Sequence, residues 1–556
     1  MTPTRRDLLA WSGGLVGGML FTPVPWKVLD DVSIWSQNWP WIPQPARGPV
    51  EEKLSSCTLC PNACGLRVRM AAGSPVGLAG MAGHPVSRGA LCPLGFGAHQ
   101  LNWHPSRLQS ALHRGRKAGW EEAAAAFRKA LAEGPIAVID GRTGRAASTV
   151  LERFAAAHGG SYAAARTAEE KALGPYQRWS GVPASALGYD LENARTIVSF
   201  GAPLLDGWAT PGRFTRLWSE RAAGAADPAL RLIQVEPVQS RTAAFAWRWV
   251  ALRMGSESAL ASALARVLME ERLVAARGPM PPESLSDATA KTGLAPETIQ
   301  NLARALVERG PVVAISAGDN PSVAALNVIL GAVGARGGIV RRGGATKSPV
   351  PVEALTGRMR AVLIDSTVPW EVTPNLDAEV FRFAAWHGGT TTADWLLPAP
   401  GFLEALTDVP TPPGSAIETY AVAAPLISAA EGSKDAARFL AEIDPGAGSV
   451  EDAIKARCEA IYRGGKGMLI KPEPEPLKSI GSAKKLYEEF GNGAVWSNEP
   501  AIPGGLRCGL KEWPYPSGME SPAGWTADWA APVLPPLAAK LYRESDLRAA
   551  PARSDV

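Results

Sequence analysis

Three cysteines fall within eight positions in "CTLCPNACG", Cys57, Cys60 and Cys64, and a fourth, Cys92, follows in "ALCPLG". Thiolates are soft donors, so four at these spacings could hold zinc or an iron–sulfur cluster, or pair as two disulfides. Structural zinc sites usually bring cysteines two and two. Three in one loop with a distant fourth is an iron–sulfur pattern, and Pro61 and Gly65 allow the tight turns that converge successive sulfurs. The expectation is a [4Fe–4S] cluster on Cys57, Cys60, Cys64 and Cys92, with zinc and an empty or disulfide-bonded site as the alternatives. Cys458 and Cys508 stand apart; a disulfide between them competes with buried or free thiols. Six cysteines in 556 residues, four of them close together, argue against a disulfide framework.

Four histidines, His84, His99, His104 and His113, lie near this segment. None sits in a Cys-His haem-attachment or His-Glu-x-x-His context, so each reads as a surface or hydrogen-bonded residue. Charged residues are 20% and apolar ones 46%, with a net charge of +4 and both signs interspersed, which is ordinary for a globular chain. No basic run is interleaved with aromatics, so nucleic-acid binding is set aside.

The elements that must position the cysteines begin at the N-terminus. Thr4-Arg5-Arg6-Asp7-Leu8-Leu9 looks like a twin-arginine export signal, a route that carries proteins already folded. The apolar run from Leu8 to Val24 is broken by glycines and prolines and is weak for a membrane span. The signal, residues 1–25, is therefore expected to remain as a possible anchor. Residues 26–49 form an arm with Trp26, Trp35, Trp39 and Trp41, suited to packing on the body, on a partner protein or in a membrane interface. The cysteine domain is assigned to 50–105.

Beyond it, helical and strand patterns alternate. "WEEAAAAFRKALAEG" and "GSESALASALARVLMEERL" have helical spacing. "PIAVID", "ARTIVSFGA", "LRLIQVEP", "PVVAISAG" and "MRAVLIDST" read as short buried strands. Such alternation predicts parallel βαβ units covered on both faces. The division expected is a first α/β domain at 106–274, a second at 275–430, and a Pro- and Trp-rich extension at 431–556.

In this order these features resemble the large subunit of the molybdopterin oxidoreductase superfamily. The resemblance is carried by the four cysteines, "ARTIVSFGAPLLDGW", "LRLIQVEPVQSRTAAFAWRWVALRMGSESALASALARVLMEE", "GAVGARGGIVRRGG" and "TTTADWLLPAPGFLE". It implies a cluster on the four cysteines and two doubly wound α/β domains that in the family hold pterin dinucleotides. It would bring Arg241 towards a pterin phosphate; Asp394 is read as structural.

The chain departs from that pattern in three ways. No cysteine lies between Cys92 and Cys458 to ligate a catalytic metal, and Ser161 and Ser180 have no matching motif around them. Leu94 stands where the family often has a basic residue. The closing β-barrel is expected to be missing, because the C-terminal stretch repeats prolines that cannot occupy central strands. Molybdenum and molybdopterin are accordingly expected to be absent, and no residue is assigned a catalytic role.

The arm and "LCPLG" resemble one branch, the molybdopterin-binding-like subunits of menaquinone reductase complexes of sulfate-reducing bacteria. That narrower resemblance implies an electron-transfer and scaffold subunit on the periplasmic side of the inner membrane. Its partners would be a multihaem cytochrome c, a polytopic quinone-binding membrane subunit, and a ferredoxin-like iron–sulfur subunit. Electrons would pass from periplasmic cytochromes c to menaquinone. The alternatives are a catalytic molybdenum or tungsten bis-pterin subunit of the polysulfide or thiosulfate reductase type, and a structural subunit without a cofactor.

Overall fold

Runs of β-branched and aromatic residues build two parallel sheets, and helices with one apolar face cover them. The computed structural model describes residues 4–21, 27–28, 48–205, 208, 211–225, 227–275, 278–343, 349–365, 378–386, 393–471, 473–500 and 505–514. The four tryptophans of the arm lie outside the described residues.

The larger sheet has eight strands. Six are parallel, in the spatial order Val350–Pro351, Ser161–Ala164, Ile136–Asp140, Ala361–Asp365, Glu379–Ala384, Trp395–Pro398. An antiparallel hairpin, Ala111–His113 with Arg116–Ala118, completes it beside Trp395. Helices Trp120–Glu133 and Ala146–Ala157 pack on it through a core that includes Phe127, Phe154, Phe381, Phe383 and Phe439.

The smaller sheet is wholly parallel, in the order Arg248–Val250, Arg231–Val235, Thr196–Phe200, Val312–Ser316. Helix Glu257–Glu270 buries Leu260, Leu264 and Leu268 against it, four residues apart, and helix Pro296–Glu308 adds Ile299, Leu302 and Leu306.

A boundary at 274/275 does not separate these sheets. Val312–Ser316, from the expected second domain, pairs with Thr196–Phe200 of the first. Ala361–Asp365, from the same stretch, pairs with Ile136–Asp140. The smaller sheet is thus an insertion in the larger one. Periodicity shows that strands and helices alternate; it does not show which strands become neighbours.

The C-terminal stretch is also more regular than an extension. Helices Ala436–Ile443, Val450–Gly464 and Ala483–Gly491 accompany a five-stranded sheet ordered Thr407–Pro410, Glu418–Ala423, Val495–Asn498, Met468–Ile470, Pro474–Pro476. Pro474 and Pro476 sit on its outermost strand, where a missing N–H leaves no central ladder bond unmade. Residues 515–556 lie outside the described residues.

Contacts divide the chain into two units, residues 1–51 with 70–76, and residues 52–69 with 77–556. The first contains helix Arg5–Phe21, capped at Thr4: the Thr4 hydroxyl accepts from Asp7 N–H at 3.3 Å and the Asp7 carboxylate accepts from Thr4 N–H at 2.9 Å. The helix buries none of its residues. Among the described residues no helix is long and apolar enough to cross a membrane.

Candidate iron–sulfur centre

The cysteine loop hangs between strands Val50–Ser56 and Gly65–Ala71 and is closed by a hydrogen bond from Cys57 N–H to Cys64 O at 2.7 Å. Ala63 adopts a φ of +53°, a left-handed conformation that costs an ordinary residue about 1–2 kcal/mol, and the chain turns there to present Cys64. Behind the loop, Gly65 N–H donates to Ser87 Oγ at 3.3 Å and Met81 N–H to Gly65 O at 2.9 Å. The His84 ring lies against Gly65, where a Cβ would meet its Cδ2 at 2.7 Å. Cys92 caps helix Pro93–Gly97, its sulfur accepting from Gly95 N–H at 3.3 Å.

Cys57 and Cys64 are buried, and Cys60 and Cys92 are partly so. Burial pushes the Cys57 and Cys64 thiols far up, and Cys60 up to about 12, because a thiolate loses its hydration there. The neighbouring sulfurs add to this: Cys60 and Cys92 raise Cys57, Cys92 raises Cys60, and the other three raise Cys64. Cys92 thus lies near enough to the loop for its charge to act on the other three thiols. No three His, Cys, Asp or Glu side chains among the described residues converge on one point in the manner of a single-ion site. Four soft sulfur donors, three on one loop and one at the start of a nearby helix, are the donor chemistry of a four-iron cluster, which would supply one-electron transfer when bound.

Two basic residues from the turn after strand Ile136–Asp140 approach this loop. Arg142 donates from Nη1 to Thr58 O at 3.2 Å, between Cys57 and Cys60, and burial lowers its pKa to about 10 while Cys60 and Cys57 act in the opposite direction. Arg145 is held by two buried carboxylates, Asp140 at 2.9 Å and Asp365 at 2.6 Å. A cleft of about 80 Å³ opens beside them, lined among others by Thr58, Leu59, Arg142, Arg145, Asp365 and Trp386. Glu169 is buried too; loss of hydration raises its carboxyl to about 8, and it lies close enough to raise Cys60. Sequence reading passed over these residues. The one signal available was "DGRTGR", two cations immediately after a buried strand.

The other expected positions resolve as follows. His84 Nδ1 accepts from Val86 and Ser87 N–H at 3.3 and 3.0 Å, which places the ring proton on Nε2, and burial lowers its pKa to about 4. His113 stacks on Trp395 with ring centres 4.1 Å apart, and the His99 ring has a buried Nδ1. His104 Nδ1 accepts from Ser106 N–H at 3.1 Å. Ser161 opens a strand of the larger sheet, and Ser180 Oγ donates to Tyr176 O at 2.6 Å within its own helix. Asp394 joins Arg114 at 3.1 Å and accepts from Val380 N–H at 3.0 Å, a structural role. Arg241 begins the short helix Arg241–Ala244 and is exposed. Cys458 packs in the core under the C-terminal sheet and Cys508 against the core of the smaller sheet; both are free thiols, not a disulfide.

Comparison with known proteins agrees with this architecture. Residues 51–101 match the family described as the Molybdopterin oxidoreductase Fe4S4 domain. Acetylene hydratase from Pelobacter acetylenicus superposes with a TM-score of 0.57 at 14% identity, covering 81% of this chain and 74% of that one, a likeness of fold. A sulfite dehydrogenase component of Allochromatium vinosum is 27% identical over 41% of this chain and 24% of its own length. The menaquinone reductase, molybdopterin-binding-like subunit of Nitratidesulfovibrio vulgaris is 30% identical over 83% of this chain and 75% of its own length. Cysteine loop, paired parallel sheets and extended identity lead to one assignment: the chain belongs to the molybdopterin oxidoreductase superfamily, in the family of the menaquinone reductase molybdopterin-binding-like subunit.

Proposed function

We propose that the chain is the cluster-bearing electron-transfer and scaffold subunit of a membrane-associated menaquinone reductase. It is exported by the twin-arginine route and faces the periplasm, and electrons reach menaquinone from periplasmic cytochromes c through the complex. Its neighbours are a multihaem cytochrome c, a polytopic quinone-binding membrane subunit, and a ferredoxin-like iron–sulfur subunit. Cys57, Cys60, Cys64 and Cys92 hold a [4Fe–4S] cluster, and the chain carries no molybdenum. The observation that supports this most is that Cys57, Cys60 and Cys64 share one loop and Cys92, at the start of a nearby helix, lies close enough to act on all three. The absence of a cysteine between Cys92 and Cys458 supports a role without a catalytic metal.

Metal analysis of the isolated protein tests the reading. About four iron atoms per chain and a [4Fe–4S] signal on reduction are expected. One equivalent of molybdenum or tungsten with pterin would overturn the non-catalytic role, and an iron-free protein would point to a structural subunit. A Cys60→Ser variant is expected to lose iron; full iron retention would contradict the ligand set.

A further inference from the structure

Arg142 is 4% exposed and clamped from several sides. Its N–H donates to Asp140 Oδ1 at 2.9 Å, its carbonyl accepts from Arg145 Nε at 2.8 Å, and its Nη1 holds Thr58 O. Among the described residues its Nε and Nη2 groups are buried without a hydrogen-bond partner. The carboxylates nearby have partners of their own: Asp140 and Asp365 bind Arg145, Asp408 binds Arg457 at 2.9 Å and Ala146 N–H at 2.6 Å, and Asp435, in the same cleft, accepts from Arg438 N–H at 2.7 Å. Leaving a guanidinium N–H buried and unpaired is unfavourable, so two such groups on one buried side chain point to an acceptor.

The Nη1 bond to Thr58 O sets the guanidinium beside the cysteine loop, near enough to Cys57 and Cys60 for their charge to act on it, so an anion held by that loop would suit both its charge and its remaining N–H groups. The helix carrying Cys92 brings no cation of its own, its sequence being Pro-Leu-Gly-Phe-Gly. We propose that Arg142 is the positioning cation of the cluster, its Nε and Nη2 donating to cluster sulfur. The inference rests on the cluster being held by the four cysteines. A fixed positive charge and two N–H donors favour the more negative, reduced state, so Arg142 raises the reduction potential. No bond is made or broken in the step. One electron arrives from a haem or iron–sulfur cluster of an adjoining subunit, and Arg142 keeps its proton.

The test uses the full-length, iron-loaded protein. Iron content is measured first, then the midpoint potential by a redox titration followed by electron paramagnetic resonance. Arg142→Gln is expected to keep its iron and to weaken one-electron reduction about tenfold, a fall of about 59 mV. Arg142→Lys, which retains the charge, is expected to recover part of that fall. An unchanged potential in an iron-loaded Arg142→Gln protein overturns the proposal, and leaves water in the adjoining cleft as the partner of those N–H groups. Should Arg142→Gln lose its cluster, the wild-type protein labelled with 15N-arginine decides. A weak nitrogen coupling to the reduced cluster, absent from Arg142→Lys, is expected; no coupling overturns the proposal. Wild-type protein without iron overturns the cluster assignment itself, a failure the iron measurement distinguishes.

Discussion

His84 shows how a residue can matter to the centre without being a ligand. Its neutral ring fills the space beside Gly65 and takes two backbone N–H bonds. Folded, it titrates at about 4, against 6.5 for an ordinary histidine, because burial disfavours the cation. Between those values the unfolded chain binds the extra proton, so stability falls as pH drops through that window. The loss approaches on the order of 3 kcal/mol at its lower end. Urea unfolding at pH 7 and pH 4.5 is expected to show a smaller loss in His84→Gln than in wild type; equal losses would place the proton uptake elsewhere. The sequence made the candidate cysteines legible because their spacing is local. It left Arg142 and Glu169 unread, because their proximity to the loop depends on where a distant strand ends.

Among the elements, those with strong periodicity were legible almost to the residue. "GSESALASALARVLMEERL" becomes helix Glu257–Glu270, and "PIAVID" becomes strand Ile136–Asp140. Strand partners were not legible, since short apolar runs are interchangeable until tertiary packing chooses between them. Strand Leu187–Tyr189 illustrates the choice. Gly188 lies where a Cβ would meet Ser415 O at 2.3 Å, and Tyr189 N–H bonds to Gly414 O at 2.9 Å. Only glycine permits this backbone-to-backbone approach. Gly188→Ala is expected to cost about 1–3 kcal/mol by overpacking, read as a lower urea midpoint with an unchanged slope. A variant as stable as wild type would show that the 414–415 turn can move aside freely.

For the whole molecule, the resemblance read from the cysteines and later segments anticipated the superfamily and both parallel sheets. The nesting of one sheet inside the other escaped it, because insertion leaves no periodic trace. Helix Arg5–Phe21 is a separate matter, since it buries none of its own residues. Removing residues 2–21 is therefore expected to leave the thermal unfolding midpoint unchanged, measured by circular dichroism; a clear drop would assign that helix a stabilising role. The nested sheets also impose an order of assembly. Strand Ile136–Asp140 leaves the ribosome long before its neighbour Ala361–Asp365, and the hairpin strand Ala111–His113 waits for Trp395–Pro398. The inserted layer can fold first, while strand Ile136–Asp140 has only Ser161–Ala164 beside it until Ala361–Asp365 has been synthesised. The turn bearing Arg142 then takes its final place only after Ala361–Asp365 has been made, so the cysteine loop acquires its surroundings well after it has itself been synthesised.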